Sequence, residues 1–261
     1  MRYKITIEYD GTNYSGWQKQ DGKITIQETI EDVIKIMMQE EAEVYGSGRT
    51  DAGVHALGQV AHFDLKKEID PFRLMSGINY HLKVKYMSRI DADYDLRNKN
   101  IQDIAVVNCE AVDDEFHARF SAKKRFYRYR ILNRRQPTAL DNNRVWQVYR
   151  ELNLDRMNEA LKFLVGKKDW SSFRDSECQA KSPIKTIDKV NLTKVGDEII
   201  FEIEAKSFLH HMVRNIVGTL VDVGLEKTTV EEFEKIIEAK DRTKAGPTAP
   251  AQGLYFVKTE Y

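Results

Sequence analysis

Apolar and polar residues alternate from the start of the chain. Tyr3, Ile5, Ile7 and Tyr9 interleave with Arg2, Lys4, Thr6 and Glu8, the period-two pattern of a half-buried strand over residues 2–9. The period then changes. Thr25 and Glu28 have the spacing of a capping box, and Ile26, Ile30, Val33, Ile34 and Met37 fall on one helical face, which predicts a helix beginning at Thr25. Residues 43–46 and 59–65 read as strands on either side of a glycine-rich loop. A second succession follows. Arg125–Leu132 reads as a strand, and Asn153 caps a helix with the stripe Leu154, Met157, Leu161 and Leu164, stopped at Gly166. Val190 and Leu192, a Gly196-Asp197 turn, then Ile199, Phe201, Ile203 and Ala205 form a hairpin pattern. Leu209, Met212, Val213, Ile216, Val217, Leu220 and Val221 predict a helix from about Leu209 to Asp222, buried along one face. His210 and Arg214 then stand one turn apart on the border of that face, with His211, Asn215 and Asp222 opposite. Each succession opens with a strand, so the chain reads as an α+β protein of two similar halves, residues 1–112 and 113–261. Each half has a mixed, largely antiparallel sheet flanked by helices.

Composition narrows the class. Of 261 residues, 41% are hydrophobic and 31% charged, which fits a globular protein rather than a disordered one. No run of about 18 apolar residues is present to span a bilayer. The opening strand pattern lacks the apolar core of a secretory signal, so the expected location is the cytoplasm. Cys109 and Cys178 are far apart and read as free thiols. The 41 basic residues balance 41 acidic ones, yet they are unevenly spread. Arg119, Lys123, Lys124, Arg125, Arg128, Arg130, Arg134 and Arg135 fall in one stretch without an acid, interleaved with Phe120, Phe126, Tyr127 and Tyr129. Such a run serves either as a phosphate-binding surface or as an edge strand guarded by charge.

Candidate chemistry concentrates in Gly46–Ala56. Glycines at 46, 48 and 53 give this loop the freedom to hold Asp51 outward from a strand end, where a carboxylate can attack carbon, pass a proton or bind a cation. Asp and Gly are also ordinary turn residues. A Ser47, Asp51, His55 triad can be written from the same loop, but it lacks the strand-to-helix elbow of a serine nucleophile. No phosphate-cradling Walker motif or dinucleotide fingerprint occurs. The histidines are scattered, and the adjacent His210 and His211 should point apart on a helix, so no metal site is expected.

Five segments, in order, resemble the tRNA pseudouridine synthase A family: Tyr9–Gln20 (YDGTNYSGWQKQ), the loop string ending GRTDAGVHA, Phe116–Tyr129 (FHARFSAKKRFYRY), Lys206–Gly218 (KSFLHHMVRNIVG) and Ala249–Phe256 (APAQGLYF). The resemblance implies the pseudouridine synthase fold with an active-site cleft between the halves. It also implies isomerisation of uridine to pseudouridine at tRNA positions 38, 39 and 40, without a cofactor or metal, by a homodimer. It makes Asp51 the catalytic nucleophile, attacking uracil C6 or ribose C1′. Arg49 would fill the space of the flipped base or hold its phosphate, and Tyr127 would stack on the uracil. Arg214 would pair with Asp51, and Leu254 would pack under the base. Arg119, Lys123, Lys124, Arg125, Arg128 and His55 complete the expected substrate-binding set. A paralogue acting on other uridines and a silent RNA-binding module are the alternatives. The chain departs from the family between Asn79 and Ile101, where a short turn is replaced by an apparent insertion that reads as a solvated loop or hairpin.

Overall fold

The computed structural model describes residues 1–90 and 102–261. The first part of the chain forms β1 (Arg2–Tyr9), α1 (Ile26–Met38), β2 (Tyr45–Gly46), β3 (His55–Asp64), α2 (Pro71–Ile90) and β4 (Ile104–Val112). The second part forms β5 (Lys124–Asn133), β6 (Trp146–Val148), α3 (Leu154–Leu161), β7 (Gly166–Asp169), β8 (Ile184–Val195), β9 (Glu198–Ala205), α4 (Met212–Gly224), α5 (Val230–Ala239) and β10 (Leu254–Glu260). These elements make two compact units, Met1–Lys123 with Phe256–Tyr261, and Lys124–Tyr255.

In the first unit the strand order is β4-β1-β3-β10, with β2 paired beside β3. β1 is antiparallel to both neighbours, with Ile5 opposite Ala61 on one side and Cys109 on the other. Its alternation buries Tyr3, Ile5 and Ile7 completely, and α1 buries Ile26, Ile30, Val33 and Ile34. Thr25 caps α1 as expected, accepting from Glu28 N–H.

The residues read as a solvated loop or hairpin begin instead inside α2, which runs to Ile90. Leu74, Ile78 and Leu82, four residues apart, are buried along that helix. Asp70 accepts from Arg73 N–H ahead of Pro71, an N-terminal signature that turn-like reading overlooked. The remainder of the apparent insertion lies outside the described residues.

In the second unit the order is β5-β9-β8-β7, with β6 parallel to the end of β5. The other pairings are antiparallel. The hairpin turns at Gly196-Asp197 as the pattern required. Asn153 caps α3, but that helix ends at Leu161, before Gly166.

α4 departs further from its expected form. It starts at Met212, because His211 adopts a left-handed conformation with φ +59°. It is also buried on both sides. From Met212 to Val221 every residue except Arg214 is buried. Asn215 and Thr219 are accommodated by hydrogen bonds to Phe173 O and Asn215 O.

Candidate functional site

In the first unit, Ser47–Val54 joins β2 to β3 and carries Asp51. Its Ser47 and Thr50 side chains are buried and hydrogen-bonded. Ser47 Oγ donates to Gln59 Oε1 at 2.7 Å, Gln59 Nε2 donates to Gly48 O, and Thr50 Oγ1 shares a 2.7 Å bond with the Tyr9 hydroxyl. Trp17 N–H donates to Thr50 O, and Gly53 N–H donates to Tyr14 O. The loop is thus laid on the Tyr9–Gln20 segment. Gly16 makes this approach possible: its φ is +93°, and a Cβ there would stand 2.5 Å from Thr50 O and 3.1 Å from the Asp51 carbonyl carbon. Between buried Thr50 and Val54, Asp51 is half-buried. A bond from Val54 N–H to Asp51 O closes the turn that carries Asp51. Arg49 is exposed, with Nε donating to Gln18 Oε1 at 3.0 Å.

His55, expected among the substrate-binding residues, is buried at the first position of β3. Gly11 N–H donates to its Nδ1 at 3.1 Å, and an Asp10 carboxylate oxygen stands 3.2 Å away. Burial opposes ionisation of Asp10, but its contact with His55 and the hydrogen bonds donated by Thr12 outweigh it and hold the carboxyl well below the usual carboxylate range. Asp10 and His55 therefore clamp the entry to β3, one strand position from the loop. Arg119 and Lys123 are exposed.

In the second unit, β5 displays the expected alternation. Tyr127, Tyr129 and Ile131 are buried, while Arg128 and Arg130 face the other way. Tyr127 meets the Phe208 ring edge-on at 5.1 Å. The opposite face is largely neutralised by acids. Arg128 pairs with Glu202, directly across on β9, and Arg130 with Glu198 and Asp141. Lys124 lies near Asp188 and Glu204, and Arg134 near Asp197. Arg125 donates to Lys206 O. Much of the basic stretch thus has a cross-strand structural role that composition alone left open.

Arg214 sits in the first turn of α4, its Nε donating to Ala249 O at 2.8 Å, while Ala249 N–H donates to Arg214 O. The segment bearing Ala249 crosses α4 at Gly218, where a Cβ would lie 1.7 Å from Pro247 O. Arg242 fastens this segment through Gly246 O, Thr248 Oγ1 and Asn215 Oδ1. Sequence reading passed over Arg242, since its role arises only from the folded segment. Leu254 is buried at the start of β10.

His210 and His211 do not point apart. They precede the helix, and their rings stack with centroids 3.9 Å apart. Asp175 holds His211 Nδ1 at 2.7 Å. The argument against a metal that rested on their divergence falls with it.

An α+β chain with a rigidly seated carboxylate loop is the frame these observations define. The sequence model described as tRNA pseudouridine synthase matches residues 5–121 and 160–261. The tRNA pseudouridine synthase A of Wolbachia pipientis wMel is 51% identical over 262 residues, covering 100% of both chains. That of Wolbachia sp. subsp. Drosophila simulans (strain wRi) is 50% identical, again covering 100% of both. This chain belongs to the tRNA pseudouridine synthase family.

Proposed function

We propose that this protein isomerises uridine to pseudouridine at positions 38, 39 and 40 of the tRNA anticodon stem-loop, with Asp51 as the nucleophile and no cofactor. Full-length identity of about half to proteins named tRNA pseudouridine synthase A carries the reading. The buried lattice beneath the Asp51 loop supports it, because a nucleophile must be held at a fixed angle. The reaction breaks the N1–C1′ bond, turns the uracil and joins C5 to C1′, after which C5 gives up its proton and N1 carries one in the product. One carboxylate can open it by adding to C6 or C1′. A stacked uridine is unreachable, so it is flipped out at a cost of a few kcal/mol. Arg49, exposed beside Asp51, suits the filling of the vacated space or the holding of its phosphate. Tyr127, Arg214 and Leu254 act in the same reaction, Tyr127 by stacking on the uracil. We further propose that the protein works as a homodimer in the cytoplasm. Among the described residues no helix is long and apolar enough to cross a membrane.

The test incubates purified protein with unmodified tRNA transcripts, without added cofactor, and maps pseudouridine for wild type and Asp51→Asn. Product at 38–40 that vanishes in Asp51→Asn is the expected result. Product at other uridines overturns the positional assignment, and binding without product by the wild type overturns the catalytic one.

A further inference from the structure

Phe120 is 75% exposed, the most exposed aromatic side chain among the described residues. An exposed ring on a loose loop would mean little, but this one stands on a tightly fastened turn. His117 and Ser121 bond each other twice, Ser121 N–H donating to His117 O and His117 N–H donating to Ser121 Oγ. Buried His62 accepts from Ala118 N–H at Nδ1, and His117 Nδ1 accepts from Arg119 N–H at 3.1 Å. The Tyr261 hydroxyl donates to Ala118 O, and Lys123 N–H donates to Glu260 O. Both imidazoles therefore act as acceptors towards the loop, each neutral with its proton on Nε2. The two rings touch, with centroids 4.6 Å apart, and His117 in turn supports Phe120 at 4.4 Å. The chain orders an aromatic ring from below and leaves it presented to solvent.

The surroundings indicate what the ring meets. The Arg119 guanidinium lies 5.7 Å from the Phe120 centroid, and Arg119, Ser121 and Lys123 are exposed beside it. The acids Asp113, Asp114 and Glu115 lie on the approach to the turn, where Arg2 donates to Asp114 O and Phe116 O. From Phe116 to Lys124 the sequence carries no acid. A rigid π-face flanked by cations suits a partner that is flat, aromatic and anionic on its backbone. Bases within a duplex have both faces covered, so the partner is unpaired.

We propose that Phe120 is a stacking platform for an unpaired nucleotide of the RNA substrate, distinct from the reacting uridine, with Arg119 and Lys123 at its phosphates and His117 and His62 as positioning residues. This rests on the tRNA reading above.

The test measures binding of an unmodified tRNA transcript, and single-turnover pseudouridine formation at saturating protein, for wild type, Phe120→Ala, Phe120→Leu and Phe120→Trp. Because the side chain is exposed, all variants should keep the wild-type melting temperature. Phe120→Ala and Phe120→Leu should weaken binding by roughly 5- to 100-fold with little change in the saturated rate. Phe120→Trp should bind within about threefold of wild type, with its indole fluorescence quenched by tRNA but not by a fully paired RNA duplex. Equal affinity of Phe120→Ala and wild type overturns the inference alone, provided the wild type binds and modifies tRNA. Full affinity in Phe120→Leu also overturns it, since an apolar contact without a π-face would then suffice. Altered sedimentation with unaltered tRNA affinity assigns the ring to a second copy of the chain instead. A wild type that neither binds nor modifies tRNA removes the substrate reading and this one together.

Discussion

At Gly16 a methyl group would collide with the backbone on which Asp51 is carried, and the local φ is already one that L side chains avoid. Gly16→Ala should therefore cost roughly 2–4 kcal/mol of stability, read by denaturant unfolding. Pseudouridine formation per folded molecule should fall with it, because the displaced atoms belong to the loop. His62 makes a second residue-scale case. Burial is the largest influence on its imidazole, followed by repulsion from His117 and Arg2, and together they push its pKa down from 6.5 to about 4. The unfolded chain thus binds a proton that the folded one refuses in this window. The contribution is complete above about pH 6.5 and is lost as pH falls towards 4, by up to about 3 kcal/mol. Unfolding at pH 7.5 and pH 4.5 should show this loss, and His62→Gln should reduce the difference. An equal pH dependence in the variant would remove His62 as its source.

Among the elements, α4 shows why apolar spacing has limits as a guide. Leu209 continues the three-and-four rhythm of the helix, so periodicity extends the element over His210 and His211. The left-handed turn at His211 and its tie to Asp175 depend on residues far away in the chain, and no local pattern reports them. Asn215 fell opposite the apolar face for the same reason, since its partners arrive from two distant segments, Phe173 on one and Arg242 and Thr248 on the other. By contrast, β1, β5 and the β8–β9 hairpin were legible, because alternation directly encodes which face is buried. The segment fastened by Arg242 also carries a prediction. Arg242→Ala frees the stretch whose Ala249 carbonyl fixes the Arg214 guanidinium. Turnover should drop more than substrate affinity, and the Ala249 amide should exchange faster with deuterium. Loss of affinity at unchanged turnover would exclude this positioning role. On β5, the ion pairs divide the basic stretch. Lys123→Ala should lower the slope of log affinity against log salt by roughly 0.7–0.9, whereas Arg128→Ala, already neutralised by Glu202, should leave it nearly unchanged.

At the scale of the molecule, the segments that identified the family are scattered in sequence but converge within each unit. Tyr9–Gln20 underlies the Asp51 loop in the first. In the second, the Tyr129 hydroxyl donates to Pro250 O, and Arg214 bonds Ala249. Their order was visible in the sequence, while their mutual support was not, because hydrogen bonds such as Ser47 to Gln59 leave no periodic trace. Charge requires the same distinction. A chain with 41 basic and 41 acidic residues has no net attraction for a polyanion, and several acids are committed to pairing with β5. Binding must therefore come from local segregation, with Arg119 and Lys123 exposed on the first unit and Arg135 on the second. The proposed homodimer would present each such group twice. Sedimentation should accordingly give twice the chain mass of 30.3 kDa. tRNA affinity should fall at least about tenfold between 50 and 200 mM salt despite a sequence pI near 7.0. A salt-insensitive complex would mean that phosphate contacts are few and that base stacking, at Phe120 and Tyr127, dominates recognition.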